Sequence, residues 1–306
     1  MVAAGKARNP GRHGSASTRG GRSAARSGTA DPGTLFGMAE LDVFLDVALE
    51  AAFAAGQATL AHFRTGVAVE AKADATPVTA ADRAAETILR DRLRRAFPGH
   101  GIVGEEEGAD RPESSHVWWL DPIDGTKAFV RGVPLYAVLV GLAIEGRVEV
   151  GVAHFPALGE TVYAASGRGT RLNGRPVRVR DTEALADAYV AFTDAGSFAR
   201  HGRADAWRRL RAATAYQAGW SDAYGHALVA CGRLELMLDP VMNPWDAGPF
   251  PVLLREAGGR FGDWSGRETI HGGEALSTTE RLWPQVAALI GDRDRGDGHD
   301  GVGEDA

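Results

Sequence analysis

The chain has 306 residues, of which 44% are hydrophobic, and its formal net charge at pH 7 is −6. This length allows one large domain or two of ordinary size, and no run approaches the roughly 18 consecutive apolar residues of a membrane span. The single cysteine, Cys231, excludes a disulfide framework and a cysteine zinc site. We therefore expect a cytoplasmic protein that does not act at a membrane, and the acidic balance argues against nucleic acid as a partner.

The two ends of the chain differ from the rest in composition. Residues 1–37 carry six Lys or Arg and one acid among Gly, Ser and Ala, whereas residues 291–306 carry six acids and two Arg. Because such segments have almost no large apolar side chains to bury, they cannot form a core. We predict a disordered leader over 1–37 and a disordered acidic tail over 291–306.

Hydrophobic periodicity predicts helices and strands between these ends. The predicted elements are a helix over 41–63, a strand over 67–72, a helix from Thr79 to the Pro98-Gly99 break, strands over 101–103 and 117–120, an antiparallel meander of strands over 136–144, 147–154 and 161–164, helices over 204–214 and 222–231, a strand over 234–238, and a helix from Trp245 to Gly258. Thr79 and Asp82 are close to a capping box, which would explain Asp82 without any catalytic role.

A pair of acids follows the central apolar strand. The strand stops at Asp121, Pro122 breaks it, and Asp124 follows just before Gly125, where a helix begins. Two carboxylates this close repel each other unless a cation lies between them, and hard cations such as Mg²⁺ take oxygen ligands. The helix start adds backbone N–H groups that suit a phosphate. The stretch therefore predicts metal-assisted phosphoryl chemistry, although Asp-Pro-x-Asp-Gly is also ordinary turn chemistry.

A run of three acids, Glu105 to Glu107, follows the strand over 101–103. Such a run is usually a solvated charge cluster. The alternative is that the end of the strand delivers Glu105 beside Asp121 and Asp124, where it would add a third carboxylate to the same site.

Three motifs in register resemble the signatures of the inositol monophosphatase-like superfamily, which comprises Mg²⁺-dependent, Li⁺-sensitive phosphomonoesterases. They are Gly104-Glu105-Glu106, the stretch from Trp119 to Thr126, and Trp245-Asp246 followed by Glu256-Ala257-Gly258-Gly259. The resemblance covers roughly residues 40–290 and implies an α/β fold, an α+β layered sandwich. Its N-terminal α+β half (38–182) would carry most metal ligands, its C-terminal α/β half (183–290) would complete the site, and the protein would be a homodimer.

The resemblance also implies a role for each matching residue and two or three Mg²⁺ ions per site. The implied metal ligands are Glu105, Asp121 as a bridging ligand, the Ile123 carbonyl, Asp124 and Asp246. The phosphate would be bound by the backbone N–H groups of Gly125 and Thr126 and attracted by Lys72. Asp82 would orient the Thr126 hydroxyl, and Thr126 with Glu105 would align the attacking water.

Within this superfamily, the stretches from Gly219 to His226 and from Leu238 to Asp246 resemble the bacterial histidinol-phosphate phosphatases. Their substrate is a small phosphorylated metabolite with an ammonium group and an imidazole. Asp239 and Asp222 would pair with the ammonium, and Asn243 would hydrogen-bond the imidazole. The structural alternatives are a turn for Asp239, over which the functional interpretation is favoured, and a helix-start acid for Asp222, which is an equally good explanation.

Other functions remain open from the sequence. Lys127 after Asp-Gly-Thr also fits the bisphosphate nucleotidases, so the alternatives are a 3′,5′-bisphosphate nucleotidase or an inositol-1-monophosphatase. A catalytically idle protein on the same scaffold is a further alternative, against which the retention of every expected acid counts. We expect Cys231, His116, His154 and His226 to be structural residues.

Overall fold

The structure is a computed structural model that describes residues 32–66, 69–71, 77–219 and 221–290. The predicted acidic tail, Lys72 and the leader up to residue 31 lie outside these ranges. The first helix, α1, spans Pro32–His62, so it begins before the predicted leader boundary at residue 37. A proline is well tolerated at the first position of a helix, because the first turn needs no hydrogen bond from its nitrogen.

The other described helices are α2 (Ala80–Ala96), α3 (Thr126–Val130), α4 (Ala195–Arg200), α5 (Ala204–Ala213), α6 (Asp222–Ala230), α7 (Pro244–Ala247), α8 (Phe250–Glu256) and α9 (Trp283–Ile290), with a 3₁₀ turn at Leu185–Asp187. The described strands are β1 (Val69–Ala71), β2 (Pro77–Thr79), β3 (Gly101–Gly104), β4 (Gly108–Asp110), β5 (His116–Asp124), β6 (Ala137–Ile144), β7 (Arg147–Phe155), β8 (Glu160–Ala165), β9 (Arg171–Leu172), β10 (Arg175–Pro176), β11 (Tyr189–Phe192), β12 (Tyr216–Ala218), β13 (Leu236–Asp239), β14 (Gly259–Gly262) and β15 (Ala275–Thr279). The predicted helix from Trp245 to Gly258 is divided into α7 and α8, because Pro249 and Pro251 have no N–H to donate inside a continuous helix.

The described strands form a two-stranded ribbon of β1 and β2 and two larger sheets. The first has eight strands in the order β10-β9-β8-β7-β6-β5-β3-β4 and is antiparallel except between β3 and β5. The predicted meander is confirmed as β6, β7 and β8. The second has five strands in the order β12-β11-β13-β15-β14, with β12, β11 and β13 parallel.

The core is arranged in layers, because successive side chains of a strand point to opposite faces of its sheet. In β6, Val138 and Val140 pack in one cluster with α1 and α2, whereas Ala137 and Leu139 pack in another with α6 and α8. One face of the five-stranded sheet packs on α6 and α8, and its other face packs on α4, α5 and α9. In the described part of the chain the order is therefore helix, sheet, helix, sheet, helix, which confirms the predicted layered α/β fold.

A close contact brings α7 against the eight-stranded sheet. A side chain on Gly141 of β6 would collide with the backbone of Gly248, which links α7 to α8. The glycine therefore allows α7 to lie directly against β5 and β6. This contact carries Asp246, within α7, to the strand that bears the central acids.

Helix α1 is unusually apolar. By length and composition alone its segment Gly37–His62, which contains 18 residues with a mean hydropathy of 1.4, would be able to cross a membrane. Its alanine-rich face, including Ala48 and Ala55, is fully buried against α2 and the eight-stranded sheet. Here the helix therefore packs as a core element.

Candidate active site

Strand β5 carries the two central acids to one end of the eight-stranded sheet. It continues through Pro122 as far as Asp124 and does not stop at Asp121 as predicted, but its register against β6 shifts between Asp121 and Asp124. A proline cannot donate a hydrogen bond to a neighbouring strand, so within a sheet it is accommodated at such an irregularity. The Asp121 carboxylate accepts the backbone N–H of Ile123 at 2.9 Å, and both acids line a cavity of about 200 Å³.

Three carboxylates from separate elements meet in this cavity. One oxygen from each of Glu105, Asp121 and Asp246 lies within 4.8 Å of the others. Glu105 follows β3, which runs parallel to β5, and its N–H donates to the Leu120 carbonyl at 3.2 Å. Burial, and then the charges of Glu105, Asp124 and Asp246, raise the pKa of Asp121. Burial raises the pKa of Asp246 to about 7.

The composition of this cluster indicates what it can bind. Carboxylates crowded in a buried cavity repel each other, and the repulsion is relieved by a divalent cation. Ile123 also lines this cavity. Carboxylates and a backbone carbonyl both offer oxygen atoms, as hard cations such as Mg²⁺ require. The residues therefore fit a divalent cation.

Asp124 lies in the same cavity but outside the group of three. Its Oδ2 accepts the backbone N–H of Ala223 at 2.7 Å, at the start of α6. Burial, and then the charges of Asp222 and Asp246, raise its pKa. Of the predicted ligands, the structure thus gathers Glu105, Asp121 and Asp246 tightly and places Asp124 at the border with α6.

The helix start after Asp124 adopts the predicted turn. Gly125 has a φ of 78°, in the left-handed region that glycine enters without strain, and it precedes α3. The Thr126 hydroxyl donates to the Ile123 carbonyl at 3.1 Å. Both residues line the acidic cavity, so the two predicted phosphate-binding residues lie beside the carboxylate cluster.

Asp82 caps the start of its own helix. Its Oδ2 accepts the N–H and the hydroxyl of Thr79, both at 2.7 Å, and this completes a capping box at the start of α2. Because Thr79 donates twice to this oxygen, the carboxylate is held on its own helix. Burial raises the pKa of Asp82, and the nearby charge of Glu105 adds to the effect.

A second cavity, of about 430 Å³, continues from the acidic one. It shares Asp124, Lys127, Asp222 and Asp246 with the first cavity and adds Asp239. Burial, and then the charge of Asp239, raise the pKa of Asp222 to about 7. The two predicted substrate-binding acids therefore face one space beside the carboxylate cluster.

Asp239 is supported from inside the protein by His226. The Oδ2 atom of Asp239 lies 3.2 Å from Nε2 of His226, whose Nδ1 lies 2.7 Å from the Ser277 hydroxyl. His226 is fully buried. This arrangement fixes the direction of the Asp239 carboxylate, and it agrees with the expectation that His226 is structural.

Asn243 contacts one of the three clustered carboxylates. Its Nδ2 donates to Oδ2 of Asp246 at 3.2 Å and its backbone N–H donates to the same oxygen at 3.0 Å. Asn243 thereby caps α7 and holds an acid of the cluster. In the sequence, Lys127 distinguishes only between phosphatases of this superfamily that act on different substrates. In the structure it lines both cavities and supplies a cation there.

The remaining candidates have structural surroundings. Burial raises the pKa of the Cys231 thiol to about 11, which makes it a poor nucleophile. His154 is buried, with Nδ1 at 2.9 Å from the Thr161 hydroxyl. His116 stacks on His100 with the ring centroids 4.6 Å apart.

Comparisons with known proteins agree with this geometry. Residues 40–294 match the model of the inositol monophosphatase family. A histidinol-phosphatase of Chlorobaculum parvum is 40% identical over 82% of this chain and 98% of its own length, and one of Mycobacterium tuberculosis is 37% identical over 72% and 87%. The solved structure of an inositol monophosphatase from Anabaena (Nostoc) sp. PCC 7120 superposes with a TM-score of 0.74 at 31% identity, over 82% of this chain and 96% of that one. The chain therefore belongs to the inositol monophosphatase family.

Proposed function

We propose that this phosphatase hydrolyses L-histidinol phosphate to L-histidinol and phosphate, as a step of histidine biosynthesis in the cytoplasm. The observation that carries the proposal is the pair of acids, Asp222 and Asp239, in the cavity beside the carboxylate cluster. An ammonium group is the natural partner of such a pair, whereas the hydroxyl groups of inositol bring no positive charge. The two relatives named histidinol-phosphatase support the same substrate.

Glu105, Asp121 and Asp246 would hold the divalent cation, with Asp124 and the Ile123 carbonyl beside them. When bound, such a cation neutralises a dianionic phosphate ester and makes nearby water more acidic. The family resemblance further implies two or three Mg²⁺ ions per site, inhibition by Li⁺ and a homodimer, and we propose these properties on that basis.

The chain's own groups would position the reactants. The backbone N–H groups of Gly125 and Thr126 would bind phosphate oxygens at the start of α3, with Lys72 adding positive charge. Glu105 would accept a proton from the attacking water and, with the Thr126 hydroxyl, hold it in line with the phosphorus. Asp82, which caps α2, would orient the Thr126 hydroxyl.

The rest of the substrate would occupy the second cavity. Asp239, held by His226, would accept a hydrogen bond from the ammonium group, and Asp222 would face the same group. Asn243 lines the acidic cavity, where its side chain would hydrogen-bond the imidazole. The main alternative is an inositol-1-monophosphatase, which the likeness to the Anabaena enzyme favours. A second alternative is a 3′,5′-bisphosphate nucleotidase, because Lys127 after Asp-Gly-Thr also fits those enzymes.

The test is phosphate release by the purified protein with Mg²⁺, using histidinol phosphate, inositol 1-phosphate and adenosine 3′,5′-bisphosphate at equal concentrations. The proposal expects a clear preference for histidinol phosphate and loss of activity with EDTA. A preference for either other substrate would refute the assigned substrate. Absence of release from all three would favour the catalytically idle protein.

A further inference from the structure

A buried carboxylate outside the acidic cavity contacts the loop that carries Glu105. Glu86 lies one turn after Asp82 on α2 and is fully buried. Its Oε2 accepts the backbone N–H of Glu106 at 2.7 Å, and its Oε1 accepts that of Glu107 at 3.0 Å. These two residues directly follow Glu105, so the loop between β3 and β4 is fixed to α2 by its backbone.

Arg90, one further turn along α2, completes this attachment. Its Nε donates to Oε1 of Glu86 at 2.7 Å, and its guanidinium donates to the Gly108 carbonyl, where the loop ends. The side chains of Arg90 and Glu86 are 2% and 0% exposed. A side chain on Gly104 would collide with both of them, so the strand before Glu105 also lies directly against the pair.

Stability alone does not account for this pair. Burying an ion pair removes two charges from water, and well-packed apolar side chains of similar size are often as stable or more so. Apolar side chains, however, cannot accept two backbone N–H groups. The attachment therefore has a geometrical consequence: the Glu105 backbone is held by β5 through Leu120 on one side and by α2 through Glu86 on the other.

We propose that Glu86, paired with Arg90, is a positioning residue that fixes Glu105 for binding of the divalent cation. The inference rests on the proposed function in one respect, since it takes Glu105 as a metal ligand. Glu86 touches neither the cation nor the substrate. It acts through the backbone of the residues after Glu105.

The experiment measures Mn²⁺ binding by titration calorimetry and by the electron paramagnetic resonance signal of free Mn²⁺. Glu86→Gln keeps the shape of the side chain, but its NH₂ group would face an N–H group where the carboxylate oxygen had accepted a hydrogen bond. Because it leaves the buried Arg90 with only the exposed Glu107 carboxylate, 3.5 Å away, as a charge partner, it is also expected to destabilise the fold. The double variant Glu86→Leu/Arg90→Met removes both charges and so leaves no unpaired buried charge. We expect both to bind Mn²⁺ at least about tenfold more weakly, as is usual when groups that orient a metal ligand are removed.

A matched control separates positioning from stability. Glu274→Gln breaks a similarly buried pair, with Arg203 in the C-terminal half, where the two side chains are 9% and 5% exposed. It should lower the temperature of unfolding and leave Mn²⁺ affinity unchanged. In the Glu86 variants, raising Mg²⁺ should partly restore kcat at a temperature where the metal-free variants are fully folded, so that the recovery does not come from refolding.

Unchanged Mn²⁺ affinity in both Glu86 variants would overturn the inference. An equal loss in Glu274→Gln would also overturn it, because the effect would then be general destabilisation. Absence of Mn²⁺ binding in the unaltered protein would refute the metal site and this inference together. A preference for a substrate other than histidinol phosphate would refute the proposed substrate alone, because the titrations contain no substrate.

Discussion

Replacing Asp239 with asparagine removes a negative charge from the substrate cavity with almost no change in side-chain size. The Asp239 side chain is 10% exposed, and its carboxylate is held by His226 at 3.2 Å. An asparagine there can still hydrogen-bond His226, so we expect the fold to be retained. What the variant loses is the charge that would face the substrate ammonium.

The expected magnitude follows from the kind of bond removed. A hydrogen bond to a charged group contributes about 1.5–3 kcal/mol, which corresponds to a loss of about 10- to 150-fold in kcat/KM. The loss should appear with histidinol phosphate. Hydrolysis of glycerol 2-phosphate, which has no ammonium group, should change little, because the carboxylate cluster is untouched.

The assay is phosphate release at several concentrations of both substrates, with thermal unfolding as the check on folding. Equal losses on both substrates would show that Asp239 is architectural. No loss on either would show that it does not contact the ammonium. Either result would refute the role assigned to Asp239, and the metal site would be unaffected.

Three further predictions concern the carboxylate cluster and the core. Asp121→Asn should abolish phosphate release and raise the unfolding temperature measured in EDTA, because burial and like charges raise the pKa of Asp121; a lower unfolding temperature would contradict the repulsion. Glu105→Gln should lower kcat by about 10²–10⁴-fold with folding intact, the range typical of a general base, and near-normal kcat would exclude that role. Burial lowers the pKa of His154 from 6.5 to about 4, so its contribution to stability is present above about pH 6.5 and is lost as the pH falls toward 4. Between pH 7.5 and 5 this amounts to about 2 kcal/mol, measurable by urea unfolding, and His154→Gln should remove that part of the pH dependence.

The parts of the site that could be predicted lie in contiguous motifs. In the stretch from Asp121 to Thr126, two acids, a proline and a glycine lie within six consecutive residues, so the sequence alone indicates metal and phosphate binding there. The strands of the meander were equally clear, because β6 is apolar on both faces and is bounded by turn residues. For these, the order of residues alone determines the geometry.

Other parts depend on distances that no local pattern contains. Asp82 and Asn243 were assigned to partners across the site, but each is held by a hydrogen bond to a residue three positions away in a capping box. Local bonds of this kind form at little entropic cost and compete with longer-range contacts. In the sequence, the only indication of a role for Glu86 is that it lies four residues after Asp82, on the same face of α2. Only the fold shows that Glu86 is buried against the loop that carries Glu105.

The contact between Gly141 and Gly248 has a thermodynamic consequence. Asp121 lies on β5 and Glu105 follows β3, whereas Asp246 lies on α7, so the three carboxylates meet only when α7 is packed on β5 and β6. A cation bound by all three would therefore add its binding free energy to that packing, by an amount that grows with the logarithm of its concentration. The ion would then stabilise the folded chain as well as take part in the reaction, and a chain in which α7 had not yet packed on the sheet would lack both the bound ion and the activity.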